Sequence, residues 1–209
     1  DAEKKLNFFR MKNKNYLYPS FNTISASGPN GAIIHYRANK SSNRLIKKND
    51  IFLCDSGGQY KYGTTDVTRT ITLGKQTGKI KNIFTYVLKG HIAVASANLK
   101  KIKNGHLLDK LARKFLKSKG LDYLHGTGHG VGYFLNVHEG PVVISKGYKI
   151  ILKPGNVMSN EPGFYKKGKY GIRLENMIYV KKNKKNILFK NLTLVPFDKN
   201  LINFSLLTN

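Results

Sequence analysis

Four carboxylates sit inside the most strand-like stretches of the chain: Asp55 in IFLCDSG, Asp66 in TTDVTRTITL, Glu161 in NVMSNEPGFY and Glu175 in YGIRLENMIYV. A carboxylate among apolar or β-branched neighbours costs several kcal/mol to desolvate unless it is paired or bound to a cation. The chain has 11 acidic residues against 37 Lys and Arg, so an acidic composition does not explain them. Any fold of this chain must hydrate these groups or bring them to a common partner.

Their spacing favours a common partner. Asp55 and Asp66 flank a turn region holding Gly57, Gly58 and Gly63; if the flanking strands pair as a hairpin, alternation with period two lets both carboxylates project from one face. Like charges that close repel unless a cation lies between them. Glu161 and Glu175 flank a second, Gly/Lys-rich turn in the same way. Taken singly, each is an ordinary turn or edge-strand carboxylate facing water; two pairs on two hairpins call for one cause.

Residues 125 to 141, HGTGHGVGYFLNVHEGP, add His125, His129 and His138, with glycines at 126, 128, 130 and 132 that permit close backbone approach. Four carboxylates and an imidazole suit a hard or borderline divalent cation, Mn, Co, Zn or Fe, rather than copper or an iron-sulfur cluster. They are more donors than one ion requires, which points to a two-metal site about 3.5 Å across. His91 and His106, on expected helices, read as hydrogen-bonded structural residues, and Glu139 as a carboxylate supporting the loop or the site.

The chain pattern is strands, two helices, then strands. Residues 1–19 read as helical or irregular and polar; a strand, a Gly/Pro/Asn turn at 28–31 and a strand over 32–36 follow. The run 64–73 is β-branched and predicts one strand. Ile80, Ile83, Phe84, Val87 and Val94 recur at helical spacing, predicting a helix from 77 to about 99. Leu107, Leu108, Leu111, Phe115 and Leu116 predict a second from 105 to 119, stopped by Gly120. The remainder reads as β, with strands near 142–144, 149–152, 156–161, 171–180 and 187–195. That order argues for an α+β fold, a curved antiparallel sheet with its helices on one face.

The formal net charge is +26, which raises nucleic acid or an anionic membrane as partners. The lysines, however, are scattered in short pairs such as Lys47-Lys48, Lys100-Lys101, Lys166-Lys167 and Lys184-Lys185 rather than gathered in one stripe, so a Lys/Asn composition bias explains them and neither partner is expected. Cys54 is the single cysteine, which excludes an intramolecular disulfide and favours a reducing, cytoplasmic setting. No apolar run approaches the roughly 18 residues a bilayer span needs.

Five segments together carry a family resemblance: SGPNGAIIHY at 27–36, DSGGQYKYGTTDVTRT at 55–70, GLDYLHGTGHGVGYFLNVHEGP at 120–141, NEPGFY at 160–165 and GIRLEN at 171–176. In order and spacing the chain resembles the pita-bread metallopeptidases and, within them, the eukaryotic cytosolic Xaa-Pro aminopeptidase (aminopeptidase P) branch. The resemblance implies a pita-bread catalytic domain over 1–209, without the family's creatinase-like N-terminal domains and short at both ends, with homodimerisation expected of the full-length protein. It implies two divalent cations, Mn2+ foremost with Zn2+ or Co2+ as alternatives. Asp55 would chelate one, His129 and Glu161 the other, and Asp66 and Glu175 would bridge them. His35, His125 and His138 match the family's substrate-side histidines, and Arg173 an arginine that organises the site.

The implied reaction is hydrolysis of the bond between an N-terminal residue and a following proline by a metal-bridging hydroxide. Glu161 would shuttle the proton and His138 would steady the oxyanion. Peptides with proline in second position are the implied substrates. Two other readings stay open: a prolidase acting on Xaa-Pro dipeptides, and a non-catalytic pita-bread module that binds nucleic acid or protein.

Overall fold

The computed structural model describes residues 1–207. It opens with helix α1, Ala2–Met11, and the short strand β1, Tyr16–Pro19. Strand β2, Ile24–Ser27, leads into a 3-10 turn at Gly28–Ala32. Strands β3, Ile51–Ser56, and β6, Val67–Thr72, enclose the small hairpin β4, Gly58–Tyr60, and β5, Gly63–Thr64. Helices α2, Gly78–Ala95, and α3, Gly105–Lys117, follow. The rest is β: β7 Gly128–His129, β8 Val143–Ile144, β9 Val157–Asn160, β10 Gly163–Lys166, β11 Tyr170–Arg173, β12 Asn176–Lys182 and β13 Ile187–Asn191.

Among the described residues every ladder is antiparallel, as expected, and the strands divide into short sheets ordered β2-β3-β6, β1-β4-β5, β13-β12-β9, β10-β11 and β7-β8. The two helices pack on each other, where Gly90 lies so close to Ala112 that an added Cβ would stand 2.2 Å from its carbonyl oxygen. Phe84, Val87, Leu88 and Leu116 bury against Tyr170, Ile172 and Leu174; Val94, Leu108 and Ala112 bury against Met158, Ile178 and Phe189. Both helices are capped at their starts, by the Thr77 side chain on the Ile80 N–H and by the Asn104 side chain on the Leu107 N–H. No helix among the described residues is long and apolar enough to cross a membrane.

The second helix stops where Gly120 takes φ +68 and the Leu121 N–H returns to the Leu116 carbonyl. The first ends at Ala95, short of the expected 99. Leu107 lies 38 % exposed rather than on the apolar face, and the polar pair Asp109 and Arg113 takes buried positions instead.

Several expected strands are interrupted or absent. Residues 32–36 form no strand: the turn before them is docked on β11, where a Cβ on Gly171 would lie 1.7 Å from the Gly31 oxygen, and Tyr36 instead bonds Ser42 through its hydroxyl. Residues 149–152 contribute only a bridge from Ile151 to Asn104. The run 187–195 pairs as far as Asn191. The expected strand 64–73 breaks at Thr65 and Asp66, and 171–180 breaks at Leu174 and Glu175. Glu161 likewise lies between β9 and β10. Only Asp55 is inside a strand, so three of the four carboxylates occupy gaps where a ladder stops.

Candidate metal centre

Strand pairing brings the first two carboxylates together. In the β3–β6 ladder Asp55 faces Thr68 and Ser56 faces Val67, which leaves Asp66 just past the end of β6 beside Asp55. Glu175 is drawn to the same place by its own main chain, its N–H bonding the Thr68 carbonyl at 3.2 Å, and by its side chain, whose Oε2 accepts from Thr68 Oγ1 at 2.7 Å. Glu161 is held by its N–H on the Thr127 carbonyl and by Ser159 Oγ on its Oε1. The flanking asparagines Asn160 and Asn176 face each other across β9 and β12, so the two glutamates leave the same ladder end. All four carboxylates and His129 line one cavity of about 680 Å³.

His129 sits on β7, with its main-chain N–H bonded to Ser159 Oγ. Its Nδ1 lies 2.9 Å from the Gly130 carbonyl, a contact that needs the proton on Nδ1. With Nδ1 so engaged, Nε2 is the ring nitrogen that faces Glu161 Oε1 at 3.4 Å and Asp66 Oδ2 at 3.5 Å. An imidazole nitrogen set among carboxylate oxygens is the arrangement of a ligand set. Donor atoms of Asp66, His129 and Glu175 lie within 4.8 Å of one another. Asp55 and Asp66 each keep a buried Oδ1 with no hydrogen-bond partner. Burial first, then the neighbouring carboxylates, pushes Asp66 and Glu175 well above the ordinary carboxylate range; burial pushes Glu161 up as well, opposed by His129 and Arg173. A cation among these oxygens removes each of these penalties, so the residues fit a metal.

Arg173 organises one side of the cluster. It is 2 % exposed and divides its donors among Asp55 Oδ2 at 2.7 Å, the Tyr165 hydroxyl at 2.7 Å and Thr68 Oγ1 at 3.2 Å. The Tyr165 hydroxyl in turn lies 2.8 Å from His125 Nε2, while His125 Nδ1 lies 2.7 Å from the Gly126 carbonyl. His125 is therefore an Nδ1–H tautomer that accepts from Tyr165, and burial pushes its pKa down to about 4. Its loop is clamped from α3: Arg113 donates to Asp109, to Asp122 and to the carbonyls of Tyr123 and His125.

The remaining expected residues separate cleanly. His35 and His138 line the cavity from its exposed rim, and the His138 ring stands 4.0 Å from that of His129. Burial, followed by the nearby His129 and His35, lowers the His138 pKa. Glu139 does not line the cavity and serves through its main-chain N–H, bonded to the Gly130 carbonyl. His91 is buried away from the site against Phe197, and His106 accepts the Gly147 N–H. Sequence reasoning missed Tyr165, Thr68 and Arg69. The signal for Tyr165 was its place in the hairpin between Glu161 and Glu175, in register with Gly171 and on the same face as Gly163, which faces Arg173.

Comparison with known proteins agrees with this geometry. Residues 1–182 match the model of metallopeptidase family M24. A probable Xaa-Pro aminopeptidase P from Phaeosphaeria nodorum is 48% identical over 100% of the chain, which covers 34% of that protein. The chain thus spans about a third of the length of the curated relatives it matches. The crystal structure of the X-prolyl aminopeptidase from Caenorhabditis elegans, described as a cytosolic enzyme with a di-nuclear active site, superposes with a TM-score of 0.92 at 42% identity, over 98% of this chain and 35% of that one. Prolidase from Pyrococcus furiosus superposes at 0.81 with 32% identity, over 92% and 54%. A match across residues 1–182 and a shared fold over nearly all of the described structure lead to one conclusion: this α+β chain has the pita-bread fold and belongs to metallopeptidase family M24.

Proposed function

We propose that this chain carries the catalytic centre of a metal-dependent aminopeptidase that removes an N-terminal residue from a following proline. One observation carries the reading: carboxylates converge on the Nε2 of a histidine whose Nδ1–H is committed to a backbone carbonyl, while Asp55 and Asp66 keep buried oxygens without partners. In this reading Asp55 would hold one cation, His129 and Glu161 would hold the other, and Asp66 and Glu175 would serve both. The oxygen-rich set with one imidazole suits Mn2+, with Zn2+ and Co2+ as alternatives. When bound, such a pair supplies Lewis acidity and lowers the pKa of water enough to give a nucleophile near neutral pH.

The protein's own groups complete the chemistry. His35 and His138, on the rim, bind the peptide, and His138 donates to the carbonyl oxygen as negative charge develops there. Glu161 receives the proton that water releases and returns it to the leaving prolyl nitrogen. Arg173 fixes Asp55, and the neutral His125 holds Tyr165 on Arg173. A prolyl nitrogen has no N–H to recognise, and the apolar lining of Phe21, Ile24, Ile34 and Val137 suits a ring read by shape. A cytosolic setting accords with the description of the C. elegans enzyme.

Mass spectrometry of products tests the reading, with Mn2+-loaded protein offered an Xaa-Pro-Yaa tripeptide, an Xaa-Pro dipeptide and a Met-Ala peptide. The expected result is chelator-sensitive release of the first residue from the tripeptide alone. Cleavage confined to the dipeptide would make the protein a prolidase. No cleavage at full metal occupancy would leave a binding module.

A further inference from the structure

We propose that Arg69 is a positioning residue for the metal centre, fixing Glu175 through its backbone and tying that residue to the segment 195–197. The inference rests on the reading of Glu175 as a metal ligand. Arg69 is buried on β6, and among the described residues no carboxylate lies within ion-pair distance of it. Every nitrogen of the guanidinium donates to oxygen: Nη1 to the carbonyls of Thr68 and Glu175, Nη2 to Asn176 Oδ1 and the Val195 carbonyl, and Nε to the Pro196 carbonyl. The Phe197 ring covers its central carbon at 4.3 Å, and His91 of α2 packs edge-to-face with that ring at 5.2 Å between centroids.

A buried guanidinium without an anion is tolerated only when its rigid fork meets a complete set of acceptors. Here the acceptors come from three stretches: β6 itself, residues 175–176 where β12 begins, and the segment 195–196. The same fork therefore locks these stretches to one another. Glu175 is held on two sides, since Thr68 Oγ1 takes its Oε2 while Arg69 takes its carbonyl. Arg69 does not line the cavity. It can act on the centre only by placing Glu175, without touching peptide.

The test compares wild type, Arg69→Met and Arg69→Lys in the whole protein by Mn2+ titration calorimetry, with kcat and KM for an Xaa-Pro-Yaa tripeptide followed across Mn2+ concentrations. For R69M, Mn2+ binding is expected to weaken about 10- to 100-fold, the range seen when groups supporting metal ligands are removed. Its kcat should fall at low Mn2+ and recover as Mn2+ rises, with KM within about two-fold of wild type. R69K keeps the charge but not the fork and should fall between. If R69M does not fold, R69K decides: weakened Mn2+ binding supports the inference. Unchanged Mn2+ affinity with a lowered melting temperature overturns it and leaves Arg69 a structural pin. A wild type that binds no Mn2+ overturns the metal-centre reading itself, and the inference with it.

Discussion

Arg173, Tyr165 and His125 form a hydrogen-bonded row in which each member has one task. Tyr165 uses its single proton on His125 Nε2 and its lone pair on Arg173, so Tyr165→Phe leaves both neighbours short of a partner. Each buried polar group so exposed costs about 1–3 kcal/mol. Y165F is expected to lower the melting temperature and to reduce kcat about 10- to 100-fold, measured in steady-state assays at saturating Mn2+. Glu175→Gln keeps the shape and the Thr68 contact but removes a charge; it should abolish hydrolysis and reduce the bound Mn2+ per chain, with the fold intact by circular dichroism. Retained turnover would show that Glu175 bridges nothing. His138→Ala should lower kcat while leaving Mn2+ stoichiometry unchanged, and an equal loss of metal would make His138 a ligand instead. The acidic residues were legible in the sequence because carboxylates among β-branched neighbours are anomalous on their own. Tyr165, Thr68 and Arg69 were not, since an aromatic, a threonine and a basic residue in a strand are ordinary until their distant partners, 40 to 127 positions away, are known.

At the scale of elements, both long helices were readable from their apolar period, and the end of the second from Gly120, whereas strand limits were not. Threonine-rich and β-branched runs favour extended backbone, yet they carry no mark of where a ladder ends, which depends on the partner strand. TTDVTRTITL pairs at Thr64 in β5 and again from Val67 to Thr72 in β6, with a gap at Thr65 and Asp66, and YGIRLENMIYV is broken in the same way at Leu174 and Glu175. The missing strand at 32–36 has a related cause, the contact of Gly31 with Gly171, which only the folded chain reveals. Close approach also governs the helix pair. Gly90→Ala puts a methyl group into the Ala112 carbonyl and should destabilise the protein by about 1–3 kcal/mol, read from the denaturant midpoint. A variant as stable as wild type would mean that the α2–α3 crossing has slack.

For the whole molecule, two sets of buried groups make stability depend on pH with opposite signs. Burial holds His125 near a pKa of about 4 and His91 near about 3. Both are depressed relative to the unfolded value of about 6.5, so the unfolded chain gains protons first and stability falls as pH drops below that value. In metal-free protein the carboxyls of Asp66, Glu161 and Glu175 have raised pKa values. Their contribution is present at low pH and is lost as pH rises through the folded values. Melting curves of chelated protein should therefore carry a loss of stability as pH rises above the ordinary carboxylate range, opposing the gain that the histidines give up to about pH 6.5. Mn2+-loaded protein should gain on it over the same range, because binding needs deprotonated ligands. Parallel curves with and without Mn2+ would contradict a cation held by these groups. The +26 charge, legible at once, told little about the centre, because the basic residues that matter there are the buried Arg173 and Arg69 rather than the exposed lysines.

The gaps in the strands also set an order of events. Asp55 meets Arg173 across 118 positions and Thr68 meets Glu175 across 107, so the carboxylate cluster joins two distant parts of the chain. Contacts of such long sequence separation close late in folding. During synthesis, Asp55 and Asp66 emerge well before Arg173 and Glu175 exist to complete them. An early hairpin thus offers an ion two carboxylates in water, a weak and unselective grip. The choice among competing cations falls to the finished fold, after both halves have closed.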